Sequence, residues 1–369
     1  MSAAWPIGSE PASASTADLA TPRAQLEALR RRGRWLMAGL AAGLVIATLL
    51  AVALGPVAIP LGDVLAYFLA PFGIATPDPA SAPFVSLRLS RALLGLGVGA
   101  SLGIAGATMQ GLFRNPLADP GLIGVSSGAR LGATAFIVLG GGTIVAASPA
   151  AALIALPAAA FVGALATLVL IARLARRAGV TQVTVLLLAG LALTVFEEAI
   201  VGLLIAFADD QALRAATLWR LGSLGGASMP IALLVIGVGA LGSIVLLALA
   251  RPLDALLVGE AGASHLGVPV ERVKRRLIVA SALIVATATA FVGIVGFVGL
   301  VVPHVVRLIA GPSHRIVLPA SLLAGALWVL LADLVARTVV APAELPLGVV
   351  TAFIGAPFFL WLVIARGRS

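Results

Sequence analysis

The sequence predicts an all-α integral membrane protein of about ten transmembrane helices, on three observations. First, hydrophobic residues make up 61% of the 369-residue chain and charged residues 11%, with a mean hydropathy of +1.14. Soluble domains carry roughly 25% charged residues, so this composition cannot cover a water-facing surface. Second, the apolar runs are about 20 residues long, enough to cross a hydrocarbon core of roughly 30 Å as helices. Third, these runs do not alternate with period two, which excludes a β-barrel.

Composition also bounds the chemistry. Cysteine is absent, so there are no disulfides, no thiolate metal site and no thiol chemistry. The single lysine, Lys274, lies in KRRL and not in a Gly-x-x-x-x-Gly-Lys-Ser/Thr loop, so the chain carries no P-loop for ATP. A net charge of +9 raises nucleic acid as a partner. The basic residues, however, gather at alternate helix ends, as they do in the cytoplasmic loops of membrane proteins. The partner they imply is lipid, and no nucleic acid is expected.

Taken in order, residues 1–33 read as a disordered cytoplasmic tail rich in Pro, Ser and Ala. The run from Trp35 to Leu54 is longer than the apolar region of a cleavable signal, and many more spans follow it. The membrane domain, 34–369, divides into spans at 34–54, 88–112, 121–142, 150–172, 184–206, 228–250, 276–293, 297–310, 316–337 and 346–366. The eighth is short and follows a Gly-rich turn at 293–296, so a single broken segment over 276–310 is the alternative. With ten spans and the N-terminus inside, only Arg88, Arg91, Arg214, Arg220 and Arg337 face out. Arg23 is then in the tail, Arg130 is inside a span and every other basic residue is cytoplasmic. The asymmetry places both termini in the cytoplasm.

The connections are not featureless. IPLGDVLAYFLAPFG at 59–73 is amphipathic and suits the membrane surface. FADDQALRAATLWRLGSLGGA at 207–227 mixes acids, arginines and an interfacial Trp. The inner loop 251–276, RPLDALLVGEAGASHLGVPVERVKRR, is long and polar, with Leu256, Leu257, Ala261 and Leu266 at roughly helical spacing. It fits either a solvated connection or a short helical lever for a soluble partner. FRNPLADP, at 113–120, reads as a rigid turn because its prolines fix φ and remove donors. Many of the 41 glycines lie within the spans, as in LLGLGVGASLGIAGA, and suit helices that pack by close backbone approach.

Several blocks resemble one family. They are RLSR (88–91), GASLGIAGATMQGLFRNPLADPGLIGVSSGA (99–129), GEAGASHLG (259–267), VGIVGFVGLVVPHVVRLIAGPSHR (292–315), LLADLVAR (330–337) and AELPLGVVTAFIGAPFFLWL (343–362). In this order they are similar to the permease subunits of iron-siderophore, haem and vitamin B12 ABC importers. That resemblance implies a type II importer permease in the bacterial inner membrane, working as a homodimer. It also implies two cytoplasmic ATPase subunits and a periplasmic binding protein. No cofactor is held permanently, ATP is bound by the partner, and no metal site is expected. The 207–228 segment is most similar to the haem branch, so haem is the expected cargo, with ferric siderophores and vitamin B12 behind it.

The resemblance also assigns residues. Asn115 and Leu117 match an inner constriction, although Asn before Pro is also a common turn former. Gln182, Val183 and Thr184 are a second candidate constriction. Arg88, Arg91 and Arg337 match positions that pair with carboxylates of the binding protein. Arg337 also sits four residues after Asp333, on one helix face, which fits intramolecular pairing. Leu256, Leu257, Gly259, Glu260, Ala263, His265, Leu266 and Gly267 fall in the coupling loop. Glu197 and Glu198 stand inside a span, where acids are costly and functional by default. Neighbouring helical residues point about 100° apart. One therefore suits the pathway or dimer axis, and the other suits a partner such as Arg130. His265, His304 and His314 are read as structural and not as haem ligands. A rival of another class is a proton-coupled transporter using Glu197, Glu198 and Asp333.

Overall fold

The computed structural model describes residues 16–55, 59–141, 148–177 and 179–366. Helices dominate it. They are α1 (Thr16–Ala53), α2 (Leu61–Leu69), α3 (Ala82–Leu112), α4 (Val125–Phe136), α5 (Pro149–Ala175), α6 (Val183–Ala206) and α7 (Asp210–Leu221). The second half holds α8 (Met229–Ala248), α9 (Ala250–Leu256), α10 (Glu260–His265), α11 (Val270–Val292), α12 (Val298–Ala310), α13 (His314–Thr338) and α14 (Leu347–Arg366). A two-stranded antiparallel hairpin, β1 (Arg176–Arg177) and β2 (Val180–Thr181), joins α5 to α6.

Each expected span coincides with a helix. Among the described residues, seven helices (α1, α3, α5, α6, α8, α11 and α13) are long and apolar enough to cross a membrane, and α4, α12 and α14 are shorter apolar helices. The seventh and eighth spans are separate elements. Gly293 (φ 78°) closes α11 and Phe297 (φ 66°) opens α12, both in the left-handed region that breaks a helix. The break is held from outside. Ser223 N–H donates to Val292 O at 2.8 Å, and Leu347 N–H donates to Gly222 O at 3.0 Å. Helix α7, inside the connection expected to be structured, thus seats on the break.

Two boundaries differ from expectation. The tail read as disordered through residue 33 is helical from Thr16, because the Ala-, Leu- and Arg-rich stretch before Arg34 continues the turn of the first span. Residues 1–15 and 367–369 lie outside the described residues. The inner connection is shorter than 251–276. Helix α11 starts at Val270, so Arg272, Lys274, Arg275 and Arg276 are helical.

Helix α3 is the axis of the bundle, packed along α13, α8, α11 and α12. The contact is backbone to backbone. A Cβ on Gly99 would collide with the Gly325 carbonyl, and one on Gly128 with the Gly163 carbonyl, so α3–α13 and α4–α5 close to a distance that only glycine permits. At one end of the bundle Arg88 donates to Val52 O (3.1 Å) and Ala53 O (2.9 Å), the last carbonyls of α1. That end also carries Arg91, and the opposite end carries Lys274.

Candidate gate and coupling surface

The Lys274 end brings three expected segments together. The first is the turn after α3. Asn115 N–H donates to Gln110 O (3.1 Å), and Asn115 Oδ1 accepts from Leu117 N–H (2.9 Å). Asp119 Oδ1 accepts from Gly121 N–H (2.7 Å), and burial pushes its carboxyl above the usual range against that bond. The turn is therefore locked by its own side chains, with Asn115 and Leu117 exposed on its outside. The second segment is the hairpin. Gln182 and Thr184 are exposed where α6 begins, while Val183 is half-buried against the core. The 3-10 turn Pro120–Ile123 packs on α6, where Gly190 admits the Leu122 carbonyl. Both expected constrictions thus sit on adjoining elements.

The third segment is the pair α9–α10, which is helical, as the lever reading requires. Its residues divide by side. Leu256 and Ala263 are buried, so these two expected partner contacts belong to the core. Leu257, Val258 and Leu266 are exposed, the last at 69%, and form the outward apolar face. His265 is exposed as well, and Gly259 (φ 105°) and Gly267 (φ 79°) make the bends. Arg114 of the first segment reaches Gly259, where a built Cβ would lie 3.8 Å from Nη1.

A chain of polar contacts, not anticipated from the sequence, joins α9 to the first segment. Asp254 accepts from His314 N–H (2.7 Å), contacts His314 Nδ1 (2.7 Å) and accepts from Ser313 Oγ (3.2 Å). Burial pushes the Asp254 carboxyl up, but the His314 contacts outweigh it and hold the group below the usual range. His314 Nε2 lies 3.4 Å from Arg307 Nη2. Arg307 donates to Gln110 Oε1 (2.5 Å) and Ala107 O (3.1 Å), at the end of α3 just before the turn. A buried Gln in an apolar span was the available signal. Its side-chain partners are 189 or more residues away, so spacing could not reveal them. His304 is buried in α12.

At the Arg91 end the arginines are engaged within the chain. Arg91 bridges Asp333 (2.8 Å) and Glu344 (2.8 Å). Arg337 is buried, bonded to Ala51 O and 3.5 Å from Asp333, so the expectation that it docks a partner is corrected in favour of intramolecular pairing. Asp333 is 2% exposed, and helix packing around α13 draws both groups inward.

Between the ends, Glu198 pairs with Arg130 and stays half-exposed. Glu197 is buried and accepts from the Thr167 hydroxyl. Glu198, the more exposed of the two, is the one that holds Arg130, and Glu197 is turned into the α5–α6 contact. Ser127 and Thr194 meet at 3.2 Å nearby, so α4, α5 and α6 share one polar seam.

The chain is thus a helical bundle with the short helices α9 and α10 at one end and an ion-paired cluster at the other. Residues 43–365 match the FecCD transport family, and the chain belongs to it. It is 44% identical over 283 residues to the hemin transport system permease protein of Yersinia pestis, covering 77% of this chain and 83% of that one. It is 42% identical over 299 residues to the cobalamin import system permease protein of Halobacterium salinarum, covering 81% and 78%. A solved structure of a metal-chelate type ABC transporter in an inward-facing conformation superposes with a TM-score of 0.78. Identity to it is 31%, with 90% of this chain and 99% of that chain covered. The protein is a multi-pass inner-membrane permease of an ABC importer. It is not an enzyme, and ATP hydrolysis belongs to a separate subunit. The proton-coupled rival falls with this assignment, and Asp333 and Glu198, on which it leaned, are ion-paired.

Proposed function

We propose that this permease carries haem from periplasm to cytoplasm as a homodimer, served by two ATPase subunits and a periplasmic haem-binding protein. The observation that carries the cargo is the 44% identity to the Yersinia hemin permease. The α7 segment, with its resemblance to the haem branch, supports it. Glu198 supports it too. Haem carries propionates, and Arg130 keeps that acid from facing them bare. Cobalamin is the second reading, favoured by the 42% identical relative. The test is ATP hydrolysis by the complex reconstituted with its ATPase and binding protein. Haem is expected to stimulate it more than cobalamin or a ferric siderophore, and stimulation by cobalamin alone overturns the haem assignment.

The mechanism is alternating access. The basic residues gathered at the Lys274 end support a cytoplasmic side there, with both termini on that side. The ATPase binds Leu257, Val258 and Leu266, which are apolar and exposed there. The binding protein docks at the Arg91 end, where Arg88 and Arg91 are only partly covered. Thr184, Leu188, Leu191, Val195 and Glu198 are exposed at three- and four-residue spacing on one face of α6. A carboxylate on that face is costly against lipid, which favours a pathway shared with the second copy. Asn115, Leu117 and the 182–184 segment then gate its cytoplasmic mouth.

A further inference from the structure

Lys274 is the only lysine of the chain and is 1% exposed. An ammonium is costly to bury unless each of its three protons finds a partner. Here each does. Nζ donates to Thr181 O at 2.7 Å and to the Glu260 carboxylate at 3.0 and 3.1 Å, and lies 3.5 Å from Glu271 Oε2. The partners come from three elements. Glu260 opens α10, Glu271 lies in the first turn of α11, and Thr181 ends the hairpin.

Thr181 is held completely. Its carbonyl takes Lys274. Its N–H donates to Glu271 Oε2 at 3.0 Å, and its hydroxyl donates to Glu271 Oε1. The next residue, Gln182, donates its N–H to Ala175 O at 3.0 Å and leads into α6 at Val183. Glycine bends on both sides of α10 let that short helix shift as a unit. If Glu260 moves while Thr181 stays, the buried ammonium loses its two closest carboxylate contacts and keeps only Glu271, at 3.5 Å. The contacts therefore tie α10 and the start of α6 to one ammonium.

We propose that Lys274 is the positioning residue that transmits motion from the α9–α10 coupling surface to the 182–184 gate through Glu260 and Thr181. This rests on the reading of those two segments given above. It predicts that loss of the ammonium separates ATP hydrolysis from cargo movement. A merely structural role would lower assembled transporter, uptake and hydrolysis together, and leave their ratio alone.

The test uses the full complex in proteoliposomes, with Thr184→Cys supplying the permease's sole thiol and haem as cargo. Reaction of that thiol with a membrane-impermeant maleimide is expected to change with nucleotide when Lys274 is present. With Lys274→Met, the nucleotide dependence is expected to vanish and haem moved per ATP to fall at least tenfold. Lys274→Arg, which keeps the charge, is expected to recover much of both. If Lys274→Met does not assemble, Glu260→Gln takes its place. Its side chain is 44% exposed, and it weakens only the coupling-side contact, so a severalfold fall in the ratio is expected. A normal ratio and normal nucleotide dependence in the Lys274 variant, or in the Glu260 variant where it replaces it, overturns this inference alone. No nucleotide dependence with Lys274 intact overturns the gate reading and this inference with it.

Discussion

Arg91 spends its guanidinium on two carboxylates, Asp333 and Glu344, and so ties α3 to α13 and to the residues before α14. Asp333 is 2% exposed, which makes the pair costly to break, because the survivor is a buried charge without its partner. Arg91→Ala is expected to destabilise the detergent-solubilised protein by about 3–5 kcal/mol. Arg91→Ala combined with Asp333→Leu should regain part of that loss. Equal melting temperatures for wild type and the single variant would count against the pair. Arg91 is thus a structural cation first, and charge reversal there would report folding as much as docking. Both arginines were legible as important from their place in RLSR and LLADLVAR. The pairing of Arg337 with Asp333 was legible from the i,i+4 spacing, but its bond to the Ala51 carbonyl, 286 residues away, was not.

Among the elements, α9 and α10 are helices too short to be stable alone, and they exist because one side of each is buried. Leu253, Leu256 and Ala263 supply that side, and Leu257, Val258 and Leu266 are left outside. Leu266→Asp alters only the exposed face. The expected outcome is an undiminished melting temperature together with loss of ATPase association by co-purification. Full association at normal yield would remove Leu266 from the coupling surface. Helical spacing within 251–276 fitted a short lever or a solvated connection, but Leu256 and Leu257 are neighbours in sequence and only the packing of α9 decides which faces in. The same holds for Glu197 and Glu198. Their separation by about 100° was certain from helix geometry, while the packing of α5 against α6 chose Glu197 for burial.

For the whole molecule, the subunit leaves apolar faces on α6 and α14 uncovered, among them Leu188, Val195, Phe353 and Trp361. In the proposed homodimer, with Asn115 and Leu117 gating its cytoplasmic mouth, the turn after α3 is expected near the two-fold axis in both copies. Cysteines placed at 115 or 117 in this Cys-free chain are expected to cross-link between subunits when the cytoplasmic mouth is closed, and less when it opens. Absence of cross-links in every nucleotide state, with a control pair on α6 that does link, would reduce the turn to a tight loop. The locking of that turn by Asn115 and Asp119 makes the experiment readable, since a floppy loop would link in all states.

The sequence by itself determined the medium, the positions of the apolar helices and the family. These depend on local quantities: hydropathy over about 20 residues, the placing of glycines and prolines, and contiguous motifs. Tertiary structure alone decided which of two adjacent acids is buried, that Arg337 is held inward by the Ala51 carbonyl, that Asp254 ties α9 to the start of α13, and that Lys274 ties α10 to the hairpin. Those facts rest on contacts between residues such as Lys274 and Thr181, 93 positions apart in the chain. A buried charge selects its partners by proximity in the folded state, and no local pattern records that choice.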